Sequence, residues 1–415
     1  MLVERVDRKR LAAGMVVGVT EAKERAFVAH GVSKSGTGVP VREDSIFEIG
    51  SVTKLFTALA LADMTQRRET DPDEPVAQLL PAGTRVPARN GRQITLRDLA
   101  THKAGLPRRP GNLEPLNLKD PYAGYTAEHL YTFLAQHELT RTPGDAATYS
   151  NIGFGLLGHA LTLRAGFKDY ESLMRARILD PLGMKDTYIE LPPDRVRRLA
   201  SPHDSSLDPV PLWNLGVLAG AGAFRSTATD LLIFLEAVGD ANSPIGAMLP
   251  NLVTLHLGSV IEFHPPGPNV PAIASHSGGT GGTRTFVRCE GSRGVVVLGN
   301  ASIDAVIDLG QHILDRRRLP QWFRQQIVVD PAVFAALVGR FQMGPDAILD
   351  VTVANGRLIA RLSGQEALQI FPMSDTHYFY KAVNAQLTFE LDANGRAARV
   401  ILHQNATDQI AERIA

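Results

Sequence analysis

The sequence predicts a mixed α/β protein of the α+β kind, with an antiparallel sheet flanked by helices, a helical region beside it, and a small antiparallel β-barrel at the C-terminal end. Two observations lead to this prediction. β-rich segments lie near both ends of residues 15–298, and the patterns between them are mainly helical, which favours one sheet closed by the two ends of the domain. After Phe341, six short β-rich segments follow one another within about 75 residues, which favours a barrel.

The sheet and its helices follow from local patterns. Two apolar segments around a charged turn predict an N-terminal hairpin, and two more predict strands near the C-terminal end of the sheet: 15–19, 26–30, 285–288 and 294–298. Helical patterns dominate between them, at 55–64, 127–135, 152–163 and 231–238. The sequence therefore places a helical region between the strands that form the sheet.

The barrel is predicted from its turns. Asn355-Gly356 and Asn394-Gly395 favour tight hairpins, because both residue types tolerate the positive φ of a type I′ turn. The six predicted strands cover 348–354, 358–362, 368–371, 377–381, 386–391 and 398–403. A chain of 415 residues suits one large domain and one small domain. We expect domains at 1–325 and 326–415.

Composition limits the partners. Lys plus Arg and Asp plus Glu each number 43, so no overall electrostatic field attracts nucleic acid.

No apolar run approaches the roughly 20 residues of a membrane span. The single cysteine, Cys289, excludes an intramolecular disulfide, and the histidines form no H-E-x-x-H motif, so we expect neither a metal nor a cofactor. The first ten residues lack a signal-peptide pattern, which fits a cytoplasmic protein or a periplasmic one whose export signal precedes this sequence. The sequence leaves the oligomeric state open.

An S-x-x-K pattern stands at the start of the apolar helical segment, where Ser51 precedes Lys54 by three residues. Residues i and i+3 share a helix face, so the ammonium can lie beside the hydroxyl. The first turn of a helix also leaves backbone N–H groups free to stabilise an oxyanion. Taken alone, the pattern is weak, and a serine N-cap followed by a solvated lysine is the more common explanation of it.

Two further segments carry residues of chemical interest. Tyr149 and Asn151 lie just before a predicted helix, where a side chain can point into a cleft. The segment from His276 to Gly282 is rich in glycine and precedes a strand, which lets a substrate backbone approach and pair as an added strand. A buried structural tyrosine and a plain flexible loop are the alternatives for these two segments.

Together these motifs resemble the serine β-lactamases, penicillin-binding proteins and related esterases, which carry S-x-x-K, a Tyr or Ser motif ending in Asn, and K-T-G or a variant. The closest resemblance is to class C β-lactamases and D-Ala-D-Ala peptidases, through Y-x-N at Tyr149 and H-x-G at His276. Residues 101–107 are similar to the family's T-H-T-S-G-L-P, and residues 181–187 to its P-L-G-M-x-D-T. The C-terminal segment resembles the lipocalin-like barrel of some members.

The resemblance implies a role for each motif residue. It implies that Ser51 is the nucleophile, Lys54 its electrostatic partner and Tyr149 the general base. Asn151 would hold the substrate amide. The substrate's carboxylate or leaving group would face His276 and Ser277, and the glycines Gly278 and Gly279 would border the oxyanion site, with the N–H groups of Ser51 and Gly279 as its donors.

Two departures from the family pattern matter for function. His276 stands where K-T-G has a lysine, so the fixed cation that anchors a carboxylate is replaced by a group that is mostly neutral at pH 7. Lys103-Ala104 replaces Thr-Ser. We therefore expect a small-molecule or peptide substrate, either a β-lactam or D-Ala-type amide or, with the same residues, a carboxylic ester. A non-catalytic binding protein is the third hypothesis, against which the four intact motif residues argue.

Overall fold

The computed structural model describes residues 1–114, 117–257, 261–267, 271–316, 324, 326–344, 347–383, 385–404 and 407–414. Its main sheet consists of β1 (Gly14–Glu21), β2 (Glu24–Gly31), β7 (Leu255–Leu257), β8 (Ile261–His264), β9 (Ile273–Gly279), β10 (Arg284–Glu290) and β11 (Arg293–Gly299). The strand order is β2-β1-β11-β10-β9-β8-β7, antiparallel throughout. Since β1 pairs with β11, the two ends of this region close the sheet, and the prediction is confirmed.

Two short pairs of strands lie outside this sheet. β3 (Phe47–Glu48) pairs with β6 (Arg225–Ser226), and β4 (Ala88–Arg89) with β5 (Arg92–Gln93). The β3–β6 pair matters for function, because β3 leads directly into the turn that carries Ser51.

Helices fill the space between the early and late strands. They are α1 (Thr53–Gln66), α2 (Leu96–Ala100), α3 (Ala127–Gln136), α4 (Asn151–Arg164), α5 (Tyr170–Met174), α6 (Asp180–Leu182) and α7 (Ala228–Gly239), followed after the sheet by α8 (Ile307–Leu314). Every residue from 53 to 64 in α1 is buried, so this helix lies inside the core rather than on its surface. The helix that carries Lys54 is therefore held on all sides.

The sheet is covered on both faces. One core cluster joins the sheet to α1, α4 and α7, and includes Phe56, Phe154 and Phe234. A second cluster joins the other face to α8 and to the N-terminal segment, and includes Met15, Phe286 and Leu309. Strand β9, which carries the H-x-G motif, thus runs through the middle of a packed layer.

The C-terminal region is a closed antiparallel barrel of eight strands, preceded by α9 (Phe334–Leu337). The strands are β12 (Gly339–Gly344), β13 (Ala347–Ala354), β14 (Arg357–Leu362), β15 (Leu368–Pro372), β16 (His377–Tyr380), β17 (Ala385–Leu391), β18 (Ala397–Gln404) and β19 (Thr407–Arg413). Six had been predicted. The barrel is closed by the other two, β12 and β19, which pair at Phe341 and Arg413.

Polar contacts between described residues join the barrel to the larger body. Arg357 pairs with Asp208 at 2.5 Å, Gln369 accepts a hydrogen bond from Ser206, and Glu366 lies 3.4 Å from the guanidinium of Arg109. Glu366 belongs to the hairpin between β14 and β15, and Arg109 lies two residues after Pro107 of the T-H-T-S-G-L-P-like segment. The barrel therefore touches the loop that approaches Tyr149.

Within the described ranges, no helix is long and apolar enough to cross a membrane. The same part of the chain holds no cluster of three or more His, Cys, Asp or Glu side chains arranged to bind a metal ion.

Candidate active site

Ser51 lies in a single 3₁₀ turn, Gly50–Val52, between β3 and α1. Gly50 has φ +50°, a left-handed conformation that glycine adopts without strain. A β-carbon on Gly50 would lie 2.6 Å from the Gly279 nitrogen, so the end of β9 passes directly against this turn. The backbones of Ser51 and Gly279, the two expected oxyanion donors, are thereby brought to one place.

Lys54 is the second residue of α1 and is fully buried. Its Nζ lies 3.1 Å from Ser51 Oγ, 2.9 Å from Asn151 Oδ1 and 2.6 Å from the carbonyl oxygen of Ala221. Burial holds the pKa of Lys54 well below its ordinary value, and the nearby charge of Arg108 lowers it further.

The partners of Lys54 suit a neutral amine. Such an amine has two N–H donors and one lone pair. The Asn151 and Ala221 oxygens can only accept, so they take the two hydrogens. In the neutral form the lone pair can accept from the Ser51 hydroxyl, whereas an ammonium donates to all three oxygens.

Tyr149 completes the group, because its phenol is hydrogen-bonded to Ser51. Its ring centroid lies 4.9 Å from Lys54 Nζ. Burial raises the pKa of Tyr149 to about 12, against the opposing effects of the Ser51 hydrogen bond and the Arg108 charge. Burial therefore favours the uncharged form of both Lys54 and Tyr149. A pair in this state differs from an ammonium–phenolate pair only in where one proton resides.

Asn151 is the first residue of α4, whose start is fixed by Ser150. The Ser150 hydroxyl accepts from the Gly153 N–H at 2.9 Å, as an N-cap does. The same hydroxyl donates to the Pro107 carbonyl at 2.7 Å. Asn151 Nδ2 donates to the Tyr122 hydroxyl at 3.3 Å, which turns its oxygen towards Lys54.

His102 holds the backbone on both sides of Tyr149. Its carbonyl accepts from the Thr148 N–H at 2.8 Å, and its Nδ1 accepts from the Ser150 N–H at 3.1 Å. Its ring stacks on Tyr149 with centroids 4.6 Å apart. His102 has φ +61°, an uncommon conformation for a residue with a side chain. Burial is the main cause that lowers the pKa of His102 to about 3, and the charges of Lys54 and Arg108 lower it further. The ring is therefore neutral.

The H-x-G segment lies at the end of β9, next to Ser51. Strand β8 pairs with β9 only as far as His276, and within the described ranges no strand lies beyond Ser277–Gly279 on that side. Gly278 packs against the backbone of Ile49 and Ser51. Among the residues that the structure describes, the outer edge of Ser277–Gly279 is thus unpaired beside the serine, where an extended substrate could add as a strand.

His276 lies at the candidate site, where its ring centroid is 6.2 Å from that of Tyr149. Its side chain is 1% exposed, and its Nδ1 lies 2.5 Å from the Ser277 carbonyl oxygen, to which it donates. Burial, followed by the charge of Lys54, holds the pKa of His276 well below its ordinary value. The imidazole is therefore neutral. Ser277, the next residue of the H-x-G segment, is half-buried.

Four residues that contact or influence the candidate site were not predicted from the sequence: Glu48, His102, Arg108 and Ala221. Glu48 is buried and accepts from the Thr280 hydroxyl and the Trp213 N–H, both at 2.7 Å. It thus joins the strand before Ser51 to the end of β9 and to the loop of residues 207–222. Burial raises the pKa of Glu48, although both hydrogen bonds oppose this. The only signal for His102 was its place in the T-H-T-S-G-L-P-like motif, and the other three gave none.

Comparison with known proteins agrees with this site. The family model described as "Beta-lactamase" matches residues 2–316. D-alanyl-D-alanine-carboxypeptidase/endopeptidase AmpH of Escherichia coli is 34% identical over 232 residues, which are 54% of this chain and 57% of that one. This protein therefore spans little more than half the length of that relative.

Solved structures agree as well. A beta-lactamase/D-alanine carboxypeptidase from Yersinia pestis superposes with a TM-score of 0.60 at 25% identity, covering 70% of this chain and 88% of that one. An octameric penicillin-binding protein homologue from Pyrococcus abyssi shares the fold over 99% of this chain and 98% of its own, with a TM-score of 0.64 and 20% identity.

The fold and the family model together define the class: the chain belongs to the beta-lactamase family of serine hydrolases, and the resemblance predicted from its motifs is confirmed. Residues 324–413 match a second model, described as a domain of unknown function (DUF3471). All eight strands of the barrel lie within these residues.

Proposed function

We propose that this protein hydrolyses β-lactams or D-Ala-type peptide amides through an acyl-enzyme on Ser51. Residues 1–325 form the hydrolase domain and residues 326–415 an appended barrel domain. The observation that carries the proposal is the buried Lys54, which is bonded to Ser51 Oγ and to Asn151 at the start of a core helix. Burying an amine costs free energy unless it is hydrogen-bonded. Here the buried amine lies beside a hydroxyl that needs a base before it can act as a nucleophile.

The first half of the reaction forms the acyl-enzyme. Ser51 Oγ attacks the substrate carbonyl, and its proton passes to Tyr149, the expected acceptor, while the phenol proton of Tyr149 passes to the neutral Lys54, which becomes an ammonium. The N–H groups of Ser51 and Gly279 stabilise the oxyanion. When the tetrahedral intermediate collapses, the carbon–nitrogen bond breaks and the pair returns the proton to the leaving nitrogen.

The second half repeats the cycle with water. The pair takes a proton from water, hydroxide attacks the acyl carbon, and the Ser51 oxygen leaves with the proton that the pair held. Asn151 holds the substrate amide from the α4 side, and Ser277–Gly279 bind it as an added strand. The names of the relatives, a carboxypeptidase/endopeptidase and a beta-lactamase/D-alanine carboxypeptidase, support amides of this class.

A carboxylesterase is the second candidate. The observation that favours it is the buried, neutral His276, which leaves the H-x-G segment without the cation that would hold a substrate carboxylate. An ester substrate needs the same nucleophile, base and oxyanion donors but no such cation.

Intact-mass spectrometry after incubation with a penicillin tests the main proposal. We expect one acyl adduct, located by peptide mapping on Ser51 and lost in Ser51→Ala. An adduct on another serine would overturn the assignment. Rates with nitrocefin and p-nitrophenyl acetate then separate the two candidates, because an esterase turns over the ester much faster than the β-lactam.

A further inference from the structure

An anionic substrate would need a positively charged side chain near Ser51 to bind it. His276 is buried and neutral. Arg284 lies beside Gly279, but its Nη1 donates to the carbonyls of Thr280 and Thr283, and the charges of Asp304 and Glu366 act on it. Arg109 is engaged by Glu366 of the barrel. These three groups are therefore neutral or already occupied.

Arg108 is different. Its side chain is exposed, and its guanidinium carbon lies 5.1 Å from the centroid of the Tyr149 ring. Among the residues that the structure describes, no carboxylate lies within ion-pair distance of it. A fixed cation thus stands at the rim of the site, next to the expected base and free to pair with a ligand.

The backbone of Arg108 is held in place by the start of α4. The Asn151 N–H donates to the Arg108 carbonyl at 3.0 Å, and the Ser150 hydroxyl donates to the preceding Pro107 carbonyl at 2.7 Å. The position of Arg108 is therefore tied to Asn151, the residue expected to hold the substrate amide. Both lie on the α4 side of Ser51, whereas β9 lies against the turn before it.

We propose that Arg108 binds an anionic group on the acyl part of the substrate and so determines which acyl donors the enzyme prefers. The inference rests on the proposed function, because it assumes that acyl transfer occurs at Ser51. An arginine can bind a carboxylate through two parallel hydrogen bonds. The preferred acyl donors would then carry a carboxylate on the acyl side, as an acidic peptide does.

Two esters with one leaving group test this placement: p-nitrophenyl hemiglutarate, with an acyl carboxylate, and the neutral p-nitrophenyl valerate. The quantity measured is the ratio of their kcat/KM values. In Arg108→Gln we expect this ratio to fall about tenfold, the loss of one charge-assisted contact. Arg108→Lys should restore part of it. The neighbouring Arg109→Gln is the matched control and should leave the ratio unchanged.

Three outcomes would overturn the inference. An equal loss for both esters in Arg108→Gln would mean that Arg108 acts on Tyr149 rather than on substrate. The same shift in Arg109→Gln would mean that only the general field matters. A selective loss for an ester whose carboxylate lies in the leaving group, such as 3-butyryloxybenzoate, would place the anion on the other side of Ser51. Acylation of Ser51 by p-nitrophenyl valerate, followed by mass spectrometry, reports on the proposed function independently.

Discussion

Gly50 lies directly against Gly279: a β-carbon on Gly50 would come within 2.6 Å of the Gly279 nitrogen and 2.7 Å of its oxygen. Real β-carbons do not approach backbone atoms so closely, so the strand end would have to move away. Because the two residues border the expected oxyanion site, this contact sets the distance between the nucleophile and one of its two donors.

Gly50→Ala should therefore reduce acylation strongly. We expect a loss of at least about 100-fold in kcat/KM, the range seen when one oxyanion donor is removed. Gly36→Ala is the matched control, since Gly36 also has a positive φ (+80°) but no atom within 4 Å of its added β-carbon. Equal activity losses in the two variants would show that backbone strain, not the contact with Gly279, is responsible.

Tyr149→Phe tests which member of the base pair takes the proton. We expect turnover to fall by at least about 100-fold, as removal of a general base usually does. The fold should persist, since the ring and its stacking on His102 are kept. Near-normal turnover with an unchanged melting temperature would mean that Lys54 alone is the base, as its neutral, three-partner environment also permits.

His102 should act as a positioning residue for Tyr149. His102→Asn keeps a side-chain acceptor for the Ser150 N–H and a residue type that tolerates positive φ, whereas His102→Leu removes the acceptor. We expect kcat to fall much more in the leucine variant than in the asparagine variant, with little change in KM. Full kcat in a folded His102→Leu protein would contradict this role.

Acid should destabilise the fold through His102. Its pKa is about 3 in the folded chain and near 6.5 when unfolded, so the unfolded state takes up the proton first. The contribution of neutral His102 is complete above pH 6.5 and is lost as pH falls towards 3. At pH 5 we expect a loss of up to about 2 kcal/mol. Urea unfolding at pH 7 and pH 5 should show a smaller pH effect in His102→Asn, and an equal effect in both proteins would contradict the assignment.

The local parts of the site could be predicted from the sequence. Ser51 and Lys54 are one helical turn apart, so their contact follows from helix geometry alone. Tyr149 and Asn151 required the family resemblance, because nothing in the local pattern brings them to Lys54, which precedes Asn151 by 97 positions. Glu48 and Thr280 are separated by 232 positions and carry no motif, and their hydrogen bond was not predictable.

The burial of the motif residues and the closure of the barrel could not be predicted from the sequence. His276 was expected to face the substrate, but the H-x-G motif did not indicate that its imidazole would be buried beside Tyr149 and held neutral. In the barrel, β12 and β19 lack the alternating apolar pattern of the six predicted strands, and their pairing follows from closure of the sheet. Burial and closure are properties of the assembled fold, which local periodicity does not report.

The contact between Arg109 and Glu366 links two parts of the chain that are 257 positions apart, and Arg109 is the covalent neighbour of Arg108. A substitution in the barrel hairpin therefore reaches the rim of the cleft without altering any group that handles the proton. Because Arg108 and not Arg109 is expected to determine the acyl preference, loss of the Arg109–Glu366 contact should loosen the hold of the barrel on this loop and leave both the preference and the chemistry at Ser51 unchanged.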